Sequence, residues 1–195
     1  MDIGYLIFDI IMIVNVTERQ KQRAREIKEK LRNPFYVVLE NVRSMYNVGS
    51  AFRTSDACLV SKLYLAGYTA CPPRKEITKT ALGAEEFVPW EAAKDIKSIK
   101  NIKNVKCMQV VAVEQTEKSV PYTEFKFEFP VCLIFGNEIL GVSKETLKQC
   151  DAVVHIPMLG AKESLNVATA YGIVLYEVLR QYQRKNIQSQ ITNIQ

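Results

Sequence analysis

The chain has 195 residues, 48% hydrophobic and 24% charged, which excludes a disordered chain, a collagen-like fibre and a coiled-coil rod. That length suits one domain with a short extra arm, and it buries enough surface to fold without a metal or a disulfide. The net charge of +5 leans mildly toward nucleic acid or another polyanion.

Five cysteines (Cys58, Cys71, Cys107, Cys132, Cys150) lie too far apart for a zinc knuckle or a CxxC pair and read as reduced thiols in a cytoplasmic protein. Cys58 and Cys132 fall in apolar runs and are expected in the core. The single histidine, His155, argues against His-based metal sites and Ser-His-Asp chemistry, and a packing role suits it better.

Residues 3–14 are mostly apolar but interrupted by Asp9. They are too short to span a bilayer and lack the basic flank of a signal peptide, so they read as a buried strand or a leader, with no membrane role. Residues 17–32 carry seven Lys or Arg and three Glu, net +4, between a capping Thr17 and the stop Asn33-Pro34. They read either as a solvated surface helix or as a basic arm that touches RNA phosphates. Residues 1–34 are therefore taken as leader and arm.

From residue 35 the pattern alternates. Strands are expected at 36–39, 63–66, 108–113, 131–135 and 152–156, and helices at 48–57, 91–102, 144–149 and 167–182. The last helix is the strongest, with apolar residues from Val167 to Tyr182 at spacings of three and four. Alternating strands and helices predict an α/β domain over 35–185 with a mainly parallel sheet. Residues 186–195 are polar and expected to fray. Lys97, Lys100, Lys103 and Lys106 recur every three residues and read as a solvated face.

Three junctions rich in Gly and Asn each follow an inner strand: NVRSMYNVGSAFRT at 41–54, LIFGNEILGVS at 133–143 and IPMLGAKESLNVATAYG at 156–172. In a parallel sheet the loops at the carboxyl ends of the strands form the ligand crevice. Gly49 is placed at the start of a helix, where free N–H groups meet an anion. Ser164 and Asn166 precede the long helix, and at least one of them is expected to cap it. Arg74, Lys75 and Lys79, in residues 74–85, read equally as a surface turn or as extra phosphate contacts.

Through these three motifs the chain resembles the SpoU (TrmH-like) family of RNA ribose 2′-O-methyltransferases of the SPOUT superfamily, over roughly residues 36–182. The resemblance implies S-adenosylmethionine as cofactor, bound in a bent pose within a deep trefoil knot of the carboxyl-terminal third. It also implies a homodimer with the site at the interface, and no metal. By position, Gly136, Ile156 and Leu165 match residues whose backbone holds the cofactor, with Met158 and Gly160 lining the same pocket. Asn47, Arg53, Glu138, Ser164 and Asn166 match the family's catalytic and positioning residues.

A ribose 2′-OH is a poor nucleophile, and no His, Cys or Lys in the motifs plainly suits a base. The guanidinium of Arg53 is a reluctant one. Its expected role is to bind the adjacent phosphate and stabilise the developing alkoxide. Asn47 and Glu138 are expected to fix Arg53 or the ribose, and Ser164 and Asn166 to contact the nucleotide or its loop. The implied substrate is tRNA rather than rRNA, because the domain is nearly bare. The alternatives are an rRNA 2′-O-methyltransferase and a non-catalytic RNA-binding protein that keeps the fold.

Overall fold

The computed structural model describes residues 32–98 and 107–192. Its centre is a seven-stranded sheet in which every pairing is parallel, ordered β3-β2-β1-β6-β4-β7-β5. The strands are β1 (Asn33–Glu40), β2 (Val60–Ala66), β3 (Trp90–Ala93), β4 (Gln109–Val113), β5 (Val120–Pro121), β6 (Val131–Phe135) and β7 (Ala152–His155). The described α-helices are α1 (Met45–Ala57), α2 (Lys75–Ala81), α3 (Lys144–Leu147) and α4 (Val167–Thr192).

All five residues of β6, VCLIF, are buried, because a parallel strand is covered on both faces. Side-chain alternation divides them between two apolar layers. Val131, Leu133 and Phe135 join Val37 and Leu39 under α1, α2 and α4. Cys132 and Ile134 join Val38 on the opposite face, where Leu147 of α3 packs. Helix α4 contributes Tyr171, Val174, Leu175 and Val178 to the first layer. The Tyr171 ring lies 4.9 Å from that of Phe135, and its hydroxyl meets Ser55 of α1 at 2.5 Å. This buried polar tie orients α1 against α4.

The α/β class and the parallel sheet follow the sequence pattern, and the differences are local. Helix α1 starts at Met45 rather than at residue 48, because Ser44 caps it by accepting from the Asn47 N–H. Gly49 therefore sits in the second turn and offers no free N–H to an anion. Its reason is steric: a Cβ there would lie 2.1 Å from Thr80 Oγ1 and 2.4 Å from the Ile77 carbonyl oxygen of α2.

The helix expected over 91–102 is replaced at its start by strand β3 and then by a 3₁₀ turn at Ile96–Ser98. Pairing decides this. Trp90–Ala93 aligns with Leu63–Ala66, Trp90 packs edge-on to Phe52, and Lys62 bonds Glu91 at 2.5 Å. Residues 75–81, left open between a turn and a phosphate contact, form α2 with Ile77 and Ala81 buried. Residues 186–192, expected to fray, continue α4 as a helix with exposed side chains.

The apolar stretch at 3–14, the basic stretch at 17–31 and Lys100, Lys103 and Lys106 lie outside the described residues. No described helix is long and apolar enough to cross a membrane. Cys58 and Cys132 are buried as expected, and burial pushes the Cys58 thiol up to about 11, which leaves it unreactive.

The contact at Gly49 generates a sign test. Helix propensity alone predicts that Gly49→Ala stabilises a helix interior by roughly 1 kcal/mol. Overpacking against the α2 backbone instead predicts a loss of about 1–3 kcal/mol. Denaturant unfolding midpoints decide between them, and a rise in the midpoint would contradict the packing.

Candidate active site

The carboxyl ends of β1, β6, β4 and β7 lie side by side and deliver four polar segments to one edge of the sheet. The segment after β6 is the tightest. Asn137 and Gly141 exchange backbone hydrogen bonds, N–H to carbonyl in both directions, at 3.1 and 2.9 Å. The Asn137 Oδ1 accepts from the N–H groups of Ile139 and Leu140. Gly141 adopts φ 67°, and a Cβ on it would strike the Glu114 carboxylate. A Cβ on Gly136 would lie 2.2 Å from the backbone of Gly141 and Val142. Both glycines are therefore required for this turn to close.

Closing the turn points Glu138 at the start of α1. Its carboxylate accepts from the Arg43 N–H at 2.9 Å, the Ser44 N–H at 3.0 Å and the Asn47 Nδ2 at 3.0 Å. Asn47 in turn accepts from the Asn166 Nδ2 at 3.1 Å. Asn166 caps α4, its Oδ1 accepting from Ala168 N–H at 2.9 Å and Thr169 N–H at 3.3 Å. One chain of hydrogen bonds thus runs through all three motifs.

Partial burial alone pushes the Glu138 carboxyl up. The N–H groups of Arg43, Ser44 and Glu138 itself, with the Asn47 amide, outweigh it and hold the carboxyl below its usual range. The positive end of the α1 dipole acts in the same direction. Glu138 is consequently a fixed anion and a weak proton acceptor.

A cavity of about 170 Å³ opens behind the turn, with Phe135, Gly136, Ile156, Met158 and Leu165 among its walls and Glu114, Glu138, Glu163 and Ser164 at its polar edge. Of the ten expected site residues, Gly136, Glu138, Ile156, Met158, Ser164 and Leu165 line it together. Asn47 and Asn166 stand beside it through the hydrogen-bond chain. Gly160 is exposed outside the lining, and a Cβ there would touch nothing. Ser164 is exposed and makes no hydrogen bond among the described residues; Asn166 alone does the capping.

Arg53 lies elsewhere. It is exposed on another face of α1, makes no hydrogen bond or ion pair among the described residues, and lines an open groove of about 450 Å³ with Lys79, Thr80 and Tyr176. Within one chain Arg53 lines a groove other than the Gly136 cavity. His155 lines the cavity edge, with its Nδ1 2.9 Å from the Ser119 hydroxyl.

Two residues of the site carried no assignment from sequence. Glu114 follows β4 directly and accepts from the Val142 N–H at 2.8 Å, so it braces the turn from the far side. A carboxylate ending an apolar run was the available signal. Asn137 sat unassigned inside a quoted motif, and its 6% exposure shows it to be the internal frame of the turn.

A parallel sheet with three Gly- and Asn-rich loops joined at its carboxyl edge defines an α/β ligand-binding class. Residues 34–176 match the SpoU rRNA Methylase family, and the chain belongs to that family. It is 34% identical over 181 residues to a tRNA (guanosine(18)-2′-O)-methyltransferase of Aquifex aeolicus, covering 92% of this chain and 85% of that one. A crystal structure of the A. aeolicus TrmH/SpoU tRNA modifying enzyme superposes with a TM-score of 0.75 at 33% identity, covering 89% of this chain and 88% of that one. An AdoMet-bound rRNA methyltransferase from Sinorhizobium meliloti gives a TM-score of 0.70 at 33% identity, covering 75% of this chain and 56% of that one.

The depressed Glu138 carboxyl generates a pH prediction. A folded-state value below the ordinary 4.5 adds stability above that pH and loses it as pH falls through the folded value. The difference in unfolding midpoint between wild type and Glu138→Gln is therefore expected to be full at pH 7 and to shrink below pH 4.5. A difference that stays constant down to pH 3 would remove the carboxylate's role.

Proposed function

We propose that this protein transfers a methyl group from S-adenosylmethionine to a ribose 2′-OH of structured RNA, with tRNA as the substrate. The observation that carries the reading is the hydrogen-bond chain Glu138–Asn47–Asn166 standing against the Gly136 cavity. Family membership supports the reaction. The tRNA assignment is supported by coverage: the similar tRNA enzyme is matched over 85% of its length, the rRNA enzyme over 56%. A tRNA substrate supports a cytoplasmic location.

The residues present fit the cofactor. Phe135, Ile156, Met158 and Leu165 supply apolar walls for an adenosyl group, and Gly136 brings backbone to the cavity without a side chain. Glu114, Glu138 and Glu163 supply negative charge near a ligand with sulfonium and ammonium cations. Gly160, outside the cavity lining, is left as part of the loop that carries Met158. Membership of the family also supports a trefoil knot in the carboxyl-terminal third.

When bound, S-adenosylmethionine supplies an electrophilic methyl. The protein's task would be to hold a 2′-oxygen in line with that methyl, so that the O–C bond forms as the S–C bond breaks, and to stabilise charge as the 2′-OH proton passes to solvent water. Glu138, its carboxylate occupied by three N–H donors, positions Asn47 and the start of α1 rather than taking the proton. Arg53 has an unpaired guanidinium and binds the neighbouring phosphate, lowering the energy of the alkoxide. Ser164 offers a free hydroxyl to the nucleotide. Asn166 holds Asn47 in place.

The separation of Arg53 from the cavity supports a homodimer in which Arg53 of one copy completes the site of the other. Two tests follow. Methyl transfer from labelled cofactor to unmodified tRNA, with rRNA alongside, is expected to yield a 2′-O-methylated nucleoside in tRNA; Arg53→Ala lowers that rate at least about 100-fold and leaves cofactor affinity intact. Transfer only to rRNA would replace the substrate, and equal loss of cofactor binding would overturn the role of Arg53. Mixing inactive Arg53→Ala with inactive Asn166→Ala is expected to recover about a quarter of the wild-type rate, one intact site in half of the dimers. No recovery from the mixed dimers would mean that each site is built within one chain.

A further inference from the structure

A second groove, of about 560 Å³, lies on the other side of the Asn137 turn, lined by Arg43, Met45, Tyr68, Ala70, Ile139 and Leu140. Asn137 and Ile139 line both this groove and the Gly136 cavity, so the two are continuous across one turn. We propose that the groove takes an unpaired nucleobase of the RNA next to the methylated ribose, stacked on Tyr68, with Arg43 on its phosphate. This rests on the methyltransferase reading above and adds to it a base-binding platform.

Tyr68 is the reason. Tyr68 is 59% exposed, yet it is pinned at both ends. Its N–H donates to Asn41 Oδ1 at 3.2 Å, and its hydroxyl oxygen accepts from Asn137 Nδ2 at 2.9 Å. Gly67, at φ 66°, lets the chain turn close against Asn41, where a Cβ would lie 2.0 Å from Asn41 Oδ1. An exposed tyrosine needs no such fixing for stability. A fixed, exposed ring beside apolar Met45 and Leu140 is a stacking surface whose ordering cost is already met before a base arrives.

The charge agrees with that occupant. Arg43 has its backbone N–H on Glu138, while its exposed guanidinium makes no hydrogen bond or ion pair among the described residues. An aromatic face with an adjacent free cation is the pairing that holds a nucleotide. Asn137 takes no part in reading the base. Its amide donates to the Asn41 carbonyl and to Tyr68, and its oxygen accepts from Ile139 and Leu140, so its capacity is full. The Tyr68 hydroxyl keeps its own proton to donate.

The test is tRNA binding by the full-length protein, with cofactor binding measured in the same samples. Tyr68→Leu is expected to weaken tRNA binding between about 5- and 100-fold, with cofactor affinity unchanged. Tyr68→Phe, which keeps the ring and loses the Asn137 contact, stays near wild type. The indole introduced by Tyr68→Trp is quenched when tRNA is added, and Arg43→Gln lowers the slope of log affinity against log salt by about 1.

Unchanged tRNA affinity in Tyr68→Leu, or an unquenched indole in Tyr68→Trp, overturns the proposal. Equal loss in Phe and Leu variants also overturns it, because the hydroxyl's bond to Asn137 would then be the whole effect. A Tyr68→Leu protein that turns monomeric with unaltered RNA affinity marks the groove as a contact between copies instead. If the wild-type protein binds neither tRNA nor cofactor, the methyltransferase reading falls and this inference with it; cofactor and tRNA binding without a Tyr68 effect defeats this inference alone.

Discussion

The site depends on one carboxylate. Glu138 accepts from two backbone N–H groups and one side-chain amide, all belonging to the segment that starts α1. Those donors come from residues more than ninety positions away in sequence. Without that anion two backbone donors at the helix start would lose their protein partner, and Asn47 would lose its orientation. Because Asn47 holds Asn166 and Asn166 caps α4, the same carboxylate fixes the start of the longest described helix. The parallel sheet makes this possible by placing β1 and β6 side by side with their carboxyl ends aligned.

The turn that presents Glu138 has two braces of its own. Glu114 holds it from β4 through the Val142 N–H. Glu40, nearly buried at the end of β1, accepts from the Ser143 N–H and from the hydroxyls of Ser143 and Thr146, and so holds the start of α3. Three carboxylates from three strand ends or loops thus take the backbone N–H groups of Val142 and Ser143 and of Arg43 and Ser44. A rigid frame of this kind suits methyl transfer, in which holding nucleophile and methyl in line supplies much of the rate gain.

The sequence made the architecture legible because burial on both faces writes continuous apolar runs: all five expected strands form, β6 with the expected bounds, while β1 and β2 start earlier, at Asn33 and Val60. It failed at residues 91–98, where the helix periodicity of a short segment lost to edge pairing with β2 and to the packing of Trp90 on Phe52. It misplaced Gly49 because a glycine near a helix start looks the same whether it meets an anion or a neighbouring helix; only the closeness of Thr80 and Ile77 separates the two. The motifs identified most of the cavity residues. Glu114 and Tyr68 escaped because each acts through a partner distant in sequence, Val142 and Asn137, and no local pattern records that.

Hydrogen-bond capacity separates the frame from the groups left for a ligand. Asn137 is full, Glu138 has three donors, and Asn166 is committed at both ends of its amide. These side chains have little left to offer a substrate and serve as structure. Arg53, Arg43 and Ser164 stand exposed with no hydrogen bond from their side chains among the described residues. An exposed, unpaired arginine adds little to the stability of the chain that carries it. The two guanidinium groups lie on different grooves, one beside Tyr176 and one beside Tyr68, each pairing a cation with an exposed ring. A polyanion with aromatic bases has the chemistry to satisfy both pairings. Unpaired guanidinium groups beside exposed rings thus match the chemistry of RNA, on physical grounds separate from family membership.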